Sequence, residues 1–136
     1  MPLLRILQRC GTTALVCTLL VSEGFAAVTV YYFNRTERGT DCLLIEQMSA
    51  DVLKENFPRE LSDGRLVWRP TNLDLSENTR FVFDYDLSSN ELVVVRGDES
   101  RLAFNKLPGV WNLVQQPEQF RLLLADLVRE SLAQPN

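Results

Sequence analysis

Histidine is absent from all 136 residues. That absence removes the usual general base at neutral pH, the commonest zinc ligand and any Ser-His or Cys-His dyad. Cysteine is scarce: of Cys10, Cys17 and Cys42, only the last lies beyond the first 26 residues. No glycine-rich phosphate cradle and no cluster of metal ligands can be picked out, so no nucleotide, flavin or metal cofactor is expected. Apolar runs are short as well, and none approaches the roughly 20 residues that span a bilayer. Positive charge is outnumbered, with 14 Lys and Arg against 18 Asp and Glu and a net charge of −4, which disfavours nucleic acid and anionic lipid as partners. What remains is 46% hydrophobic and 24% charged, the balance of one ordinary globular domain.

The first 26 residues differ from the rest. Arg5 and Arg9 precede an apolar run from Thr12 to Val21, and Ser22-Glu23-Gly24-Phe25-Ala26 follows. A basic start, a short apolar middle and small residues at Gly24 and Ala26 predict a secretory signal peptide over 1–26, cleaved after Ala26. An uncleaved membrane anchor is the alternative, but Glu23 interrupts the apolar run too early. A lipidated Cys17 fits less well, because Leu15-Val16 precedes it in place of a small residue. The expected location is therefore the periplasm or outside the cell, with no membrane insertion once the segment is removed. Loss of Arg5, Arg9 and Glu23 takes away two positive charges and one negative, moving the net charge from −4 to −5. Cys42 is then alone in a compartment where thiols tend to oxidise, and no internal disulfide is available.

Residues 27–136 read as one domain. Val28-Thr29-Val30-Tyr31-Tyr32-Phe33 is β-branched and aromatic throughout, as a strand buried on both faces would be. From Asp41 the apolar residues Cys42, Ile45, Met48 and Val52 recur at intervals of three and four. They predict an amphipathic helix that runs towards Pro58 and stops before Ser62-Asp63-Gly64. Leu66-Val67-Trp68 is the second strand, and a crossover of this length makes the first two strands parallel neighbours. Asp74 and Glu77, three apart, resemble a capping pair for a second helix carrying Phe81, Val82 and Tyr85. Leu92 to Val95 is a third strand. Gly97-Asp98 is expected to form a two-residue hairpin turn into a fourth strand at Arg101-Leu102-Ala103-Phe104. Pro117 and Glu118 open a last helix with Phe120, Leu123, Leu124, Leu127 and Val128 on one face. The order β-α-β-α-β-β-α, with parallel first strands in a central mixed sheet and a C-terminal hairpin, is that of a minimal thioredoxin-like α/β fold.

The stretches FNRTERGTDCLLIE, VWRPTNLDLSENTRFVFDY and LPGVWNLVQQPEQF resemble a bacterial thioredoxin-like family described as a nitrophenyl-compound nitroreductase subunit. The likeness runs from about Val28 to the final helix and rests on scattered positions. It implies a thioredoxin-like fold and an Arg-Cys-x-x-Cys site, which this chain matches as Arg38-Gly39-Thr40-Asp41-Cys42. Arg38 and Cys42 are in register, whereas Gly39 stands where the first cysteine would be. In such a site the first cysteine, exposed at the helix N-terminus, attacks the substrate disulfide; the second, here Cys42, resolves the mixed disulfide. Thioredoxins also place a cis-proline before the third strand, facing the site. This chain has Ser88-Ser89-Asn90-Glu91 there, and a cis bond without proline costs roughly 2.5–4 kcal/mol. Both departures point away from a dithiol oxidoreductase.

Cys42 therefore has two readings. As a catalytic residue it would be a monothiol, forming mixed disulfides or a Cys42-linked dimer, with Arg38 and the helix N-terminus favouring the thiolate and Asp41 and Glu46 opposing it. As a packing residue it is a small apolar member of the face shared with Ile45 and Met48. Asn72, Asp74 and Glu77 would suit a hard cation, but helix capping explains them better. Asp84 and Asp86 flank Tyr85 as a solvated helix end would, and Trp68 and Trp111 are expected in the core. The functional expectation is an exported, redox-inert binding or accessory module. It would contact a protein partner through the loop from Asn34 to Asp41, with Arg38, Gly39, Thr40 and Asp41 as binding residues. A monothiol exchange protein, or an accessory subunit in nitro-compound reduction, is the alternative.

Overall fold

A computed structural model describes residues 27–97 and 103–134. The expected signal segment lies outside the described residues, as does the first half of the expected fourth strand. Strand β1 (Val28–Asn34) leads into helix α1 (Thr40–Asn56), a short helix α2 (Pro58–Asp63) and strand β2 (Leu66–Asn72). A 3-10 turn at Ser76–Asn78 and a five-residue helix α3 (Arg80–Asp84) lead to strands β3 (Leu92–Arg96) and β4 (Ala103–Lys106). Helices α4 (Val110–Leu113) and α5 (Pro117–Ala133) close the chain. The four strands form one sheet in the order β2-β1-β3-β4, with β1 parallel to β2 and antiparallel to β3, and β3 antiparallel to β4. This is the thioredoxin-like arrangement that the order of elements implies.

β1 is central, and its side chains alternate between two cores. Val28, Val30 and Tyr32 face a large cluster with Ile45, Val52 and Leu53 of α1 and Phe120, Leu124 and Val128 of α5. Tyr31 and Phe33 face a smaller cluster with Phe81 of α3 and Tyr85 just after it. The second layer is mostly rings: Tyr31 and Phe33 stack at 5.1 Å, and Phe81 and Tyr85 stack at 5.8 Å. No helix among the described residues is long and apolar enough to cross a membrane.

Five expectations are corrected. The helix expected to run towards Pro58 and stop before Ser62 is two helices: α1 ends at Asn56, because Pro58 has no N–H to continue the ladder, and α2, which Pro58 opens, runs on to Asp63. Asp74 and Glu77 cap no helix: neither the 3-10 turn nor α3 has a side-chain cap. Gly97-Asp98 is not the turn of the hairpin: a turn there would pair Arg96 with Glu99, whereas Arg96 pairs with Ala103, and Gly97, at a φ of 94°, donates its N–H to the Ala27 carbonyl at 3.0 Å. Trp111 is 38% exposed, since Val110 and Leu113 turn α4 inward and leave the intervening residue outside, while Trp68 packs partly buried against the large cluster. Leu123 departs from the expected α5 face too, at 39% exposed. Asp84 and Asp86 are exposed, as a solvated helix end requires.

Candidate functional site

The C-terminal end of β1, the loop from Arg35 to Gly39 and the first turn of α1 meet the start of β3 at one end of the sheet. Gly39 is the N-cap of α1, in extended conformation with φ −78° and ψ 175° and no side-chain cap. It is exposed together with Arg38, Thr40 and Asp41. A Cβ built on Gly39 would meet nothing within 4 Å. The space at this position is thus open, and nothing local demands glycine there.

Cys42, one turn inside the helix, is 8% exposed and unbridged. Two donors lie beside its sulphur. The Asn90 side chain reaches it from the segment before β3, with Nδ2 donating to Sγ at 3.5 Å. Tyr32 reaches it from β1: this residue is 0% exposed, and its hydroxyl has no hydrogen-bond partner of normal geometry. Burial pushes the Tyr32 hydroxyl far above its ordinary value of 10.0, followed by the neighbouring Cys42 and then Glu46, while Arg38 opposes the shift. Arg38 itself pairs with Glu46 across the first turns of α1. The cation expected to favour a Cys42 thiolate and the carboxylate expected to oppose it therefore engage each other.

Asn90 lies in the segment that leads into β3. The Glu91 carbonyl accepts a hydrogen bond from Phe33 N–H at 2.9 Å, which extends the β1–β3 ladder and fixes the residue before it over α1. No peptide bond among the described residues is cis. Neither the Asn90 contact nor the role of Tyr32 was evident from sequence periodicity. The alternation of β1 does require one of Tyr31 and Tyr32 to face α1, and the position of Asn90 ahead of the third strand was a usable signal.

The loop beside the site is tied down by residues expected elsewhere. Asp74 accepts from Thr36 N–H at 2.8 Å and from Arg35 at 2.9 Å, while Asn72 Nδ2 donates to Thr36 Oγ1 at 3.0 Å. Those contacts, first the Thr36 backbone and then Arg35, hold the Asp74 carboxyl below its ordinary value. An open hollow of about 260 Å³ lies between this loop and β2, lined by Asn34, Arg35, Thr36, Arg38, Glu46, Pro70 and Asn72.

No family model matches the chain, and no curated protein matches it. Among solved structures it is similar to the zinc-bound form of human ERp44, at 22% identity over 71% of this chain and 27% of that one, with a TM-score of 0.44. It is also similar to chloroplastic thioredoxin z, at 17% identity over 71% of this chain and 80% of that one, TM-score 0.39. A thioredoxin from Thermus thermophilus shares 17% identity over 68% of this chain and 72% of that one, TM-score 0.41. The chain spans 27% of the ERp44 chain and so corresponds to one part of it.

Proposed function

We propose that this is an exported thioredoxin-like module that binds a protein partner and carries out no dithiol exchange. One observation carries the reading: the position that would hold the attacking cysteine is an exposed glycine, and the cysteine that remains is 8% exposed. A protein disulfide needs an accessible thiolate in line with it, and Cys42 offers no such approach. In this reading the tethered loop from Asn34 to Asp41 and the hollow beside it are the contact surface, to which Arg38, lining the hollow, and the exposed Gly39, Thr40 and Asp41 contribute. Export rests on the pattern of residues 1–26. The resemblance to a nitrophenyl-compound nitroreductase subunit would make this surface the docking face for a separate redox protein that brings its own cofactor. The alternative, a monothiol that forms mixed disulfides or a Cys42-linked dimer, draws on the donors that meet at the Cys42 sulphur.

The test is thiol titration of the purified protein, native and unfolded, together with an insulin-reduction assay. A Cys42 thiol silent to bulky aromatic disulfide reagents until unfolding, and no reduction of insulin, is the expected result. Insulin reduction abolished by Cys42→Ser would overturn the reading.

A further inference from the structure

From the arrangement around Cys42 we infer that this residue is a site of oxidation by small hydroperoxides, with Tyr32 and Asn90 as the donors that hold the oxygen it gains. The inference goes beyond partner binding and does not require the missing cysteine.

Three features carry it. The first is selection by size. At 8% exposed, Cys42 is closed to a protein disulfide but keeps a small accessible area, and its N-cap neighbour Gly39 is exposed and brings no side chain to the helix end. An area of that size suits an oxidant of two or three heavy atoms rather than a peptide. The second is a donor set without an acceptor equal to it. A buried hydroxyl with no partner is costly, and a native protein that keeps one calls for an explanation, a redox role among them. Tyr32 is wholly buried, unpaired and beside Cys42, and Asn90 Nδ2 already points at the same sulphur from the opposite element. Sulphur is a weak acceptor, whereas an oxygen bonded to it is a strong one. The third is the lack of a resolving thiol: Cys42 is the one cysteine among the described residues, so the oxidised form meets no neighbour with which to condense.

The reaction balances with a hydroperoxide as sole co-reactant. A sulphur lone pair of Cys42 attacks the distal oxygen of ROOH, the S–O bond forms and the O–O bond breaks. The distal oxygen keeps its hydrogen, and the departing alkoxide takes the proton released by the thiol and leaves as ROH. Sulphur is oxidised by two electrons and the peroxide reduced by two, giving a sulfenic acid. The new oxygen then accepts from the Tyr32 hydroxyl and the Asn90 amide, which retards further oxidation and loss.

The experiment treats the native protein with stoichiometric hydrogen peroxide in the presence of a sulfenic-acid-specific cyclic 1,3-dione, followed by tryptic mapping. The expected result is a dione adduct on the peptide from Gly39 to Lys54, absent in Cys42→Ser. The dione distinguishes Cys42 from Met48 on the same peptide, because a methionine sulfoxide does not react with it. Tyr32→Phe keeps the ring and removes only the hydroxyl, so its thermal midpoint should not fall. The lifetime of its sulfenic acid, read by delayed addition of the dione, should shorten about tenfold, the worth of one buried hydrogen bond. Asn90→Ala should shorten it in the same sense. An adduct that forms only after unfolding overturns the proposal, as does a lifetime unchanged in both variants. Either result leaves the binding reading standing, while insulin reduction would end that reading without touching this one.

Discussion

Gly39 and Tyr32 are the two residues whose replacement says most about the site. The backbone at Gly39 is ordinary extended chain, and the space beyond its Cα is open, so Gly39→Cys requires no rearrangement. It would place a second thiol one helical turn from Cys42, the spacing at which thioredoxin-like sites close a disulfide. Mild oxidation should then remove the mass of two hydrogens and leave no titratable thiol in the peptide from Gly39 to Lys54. Two freely titrating thiols after oxidation would show that the first turn of α1 does not present Cys42 towards its N-cap. Tyr32 carries the pH prediction. An unfolded tyrosine ionises near 10, whereas burial keeps this hydroxyl protonated well above that value. Above pH 10 the unfolded chain therefore sheds a proton that the folded chain retains, and stability falls as pH rises. Tyr32→Phe removes this share of the alkaline loss. Its urea midpoint should equal or exceed that of the parent near neutral pH, and the gap should widen about one unit above the tyrosine value. An unchanged gap would mean that the hydroxyl is solvated.

At the level of elements, the helices were legible where an apolar stripe dictated them. Cys42, Ile45, Met48 and Val52 are all buried on α1, and Phe120, Leu124 and Val128 are buried on α5. Leu124→Ala should accordingly cost about 2–5 kcal/mol, read as a lower urea midpoint with native far-ultraviolet dichroism retained. A loss below 1 kcal/mol, on the order of an exposed substitution, would place that face of α5 in solvent. Elements decided by contacts distant in sequence were less legible. Pro70 argues against a strand, yet β2 runs through it to Asn72, because β2 is an edge strand and needs no outward N–H from that residue. Asp74 looks like a cap from its spacing to Glu77. Its real partners, Arg35 and Thr36, lie 39 and 38 residues away, and no local pattern announces them. The same holds for Asn90, 48 residues from Cys42. Four-residue α4 was missed because its two inward residues, Val110 and Leu113, make too short a stripe to read.

For the molecule as a whole, the sheet is covered unequally. One face lies beneath two seventeen-residue helices; the other is roofed by five-residue α3 and a set of rings. Tyr31, Phe33, Phe81 and Tyr85 sit 5.1 to 5.9 Å apart, and Phe104 meets Tyr85 edge-on at 5.2 Å. Both tryptophans lie elsewhere, Trp68 against the opposite cluster and Trp111 at the rim of α4. In Tyr32→Phe the two remaining tyrosines, Tyr31 and Tyr85, both belong to the ring cluster, so that variant carries one optical channel per face. Its tyrosine band in the near-ultraviolet dichroism reports the thin side, and indole emission reports the thick side. If the short roof lifts before the long helices separate, the tyrosine signal will decay at lower denaturant than the emission, and the interval between the two curves will time the loosening of one face against the other.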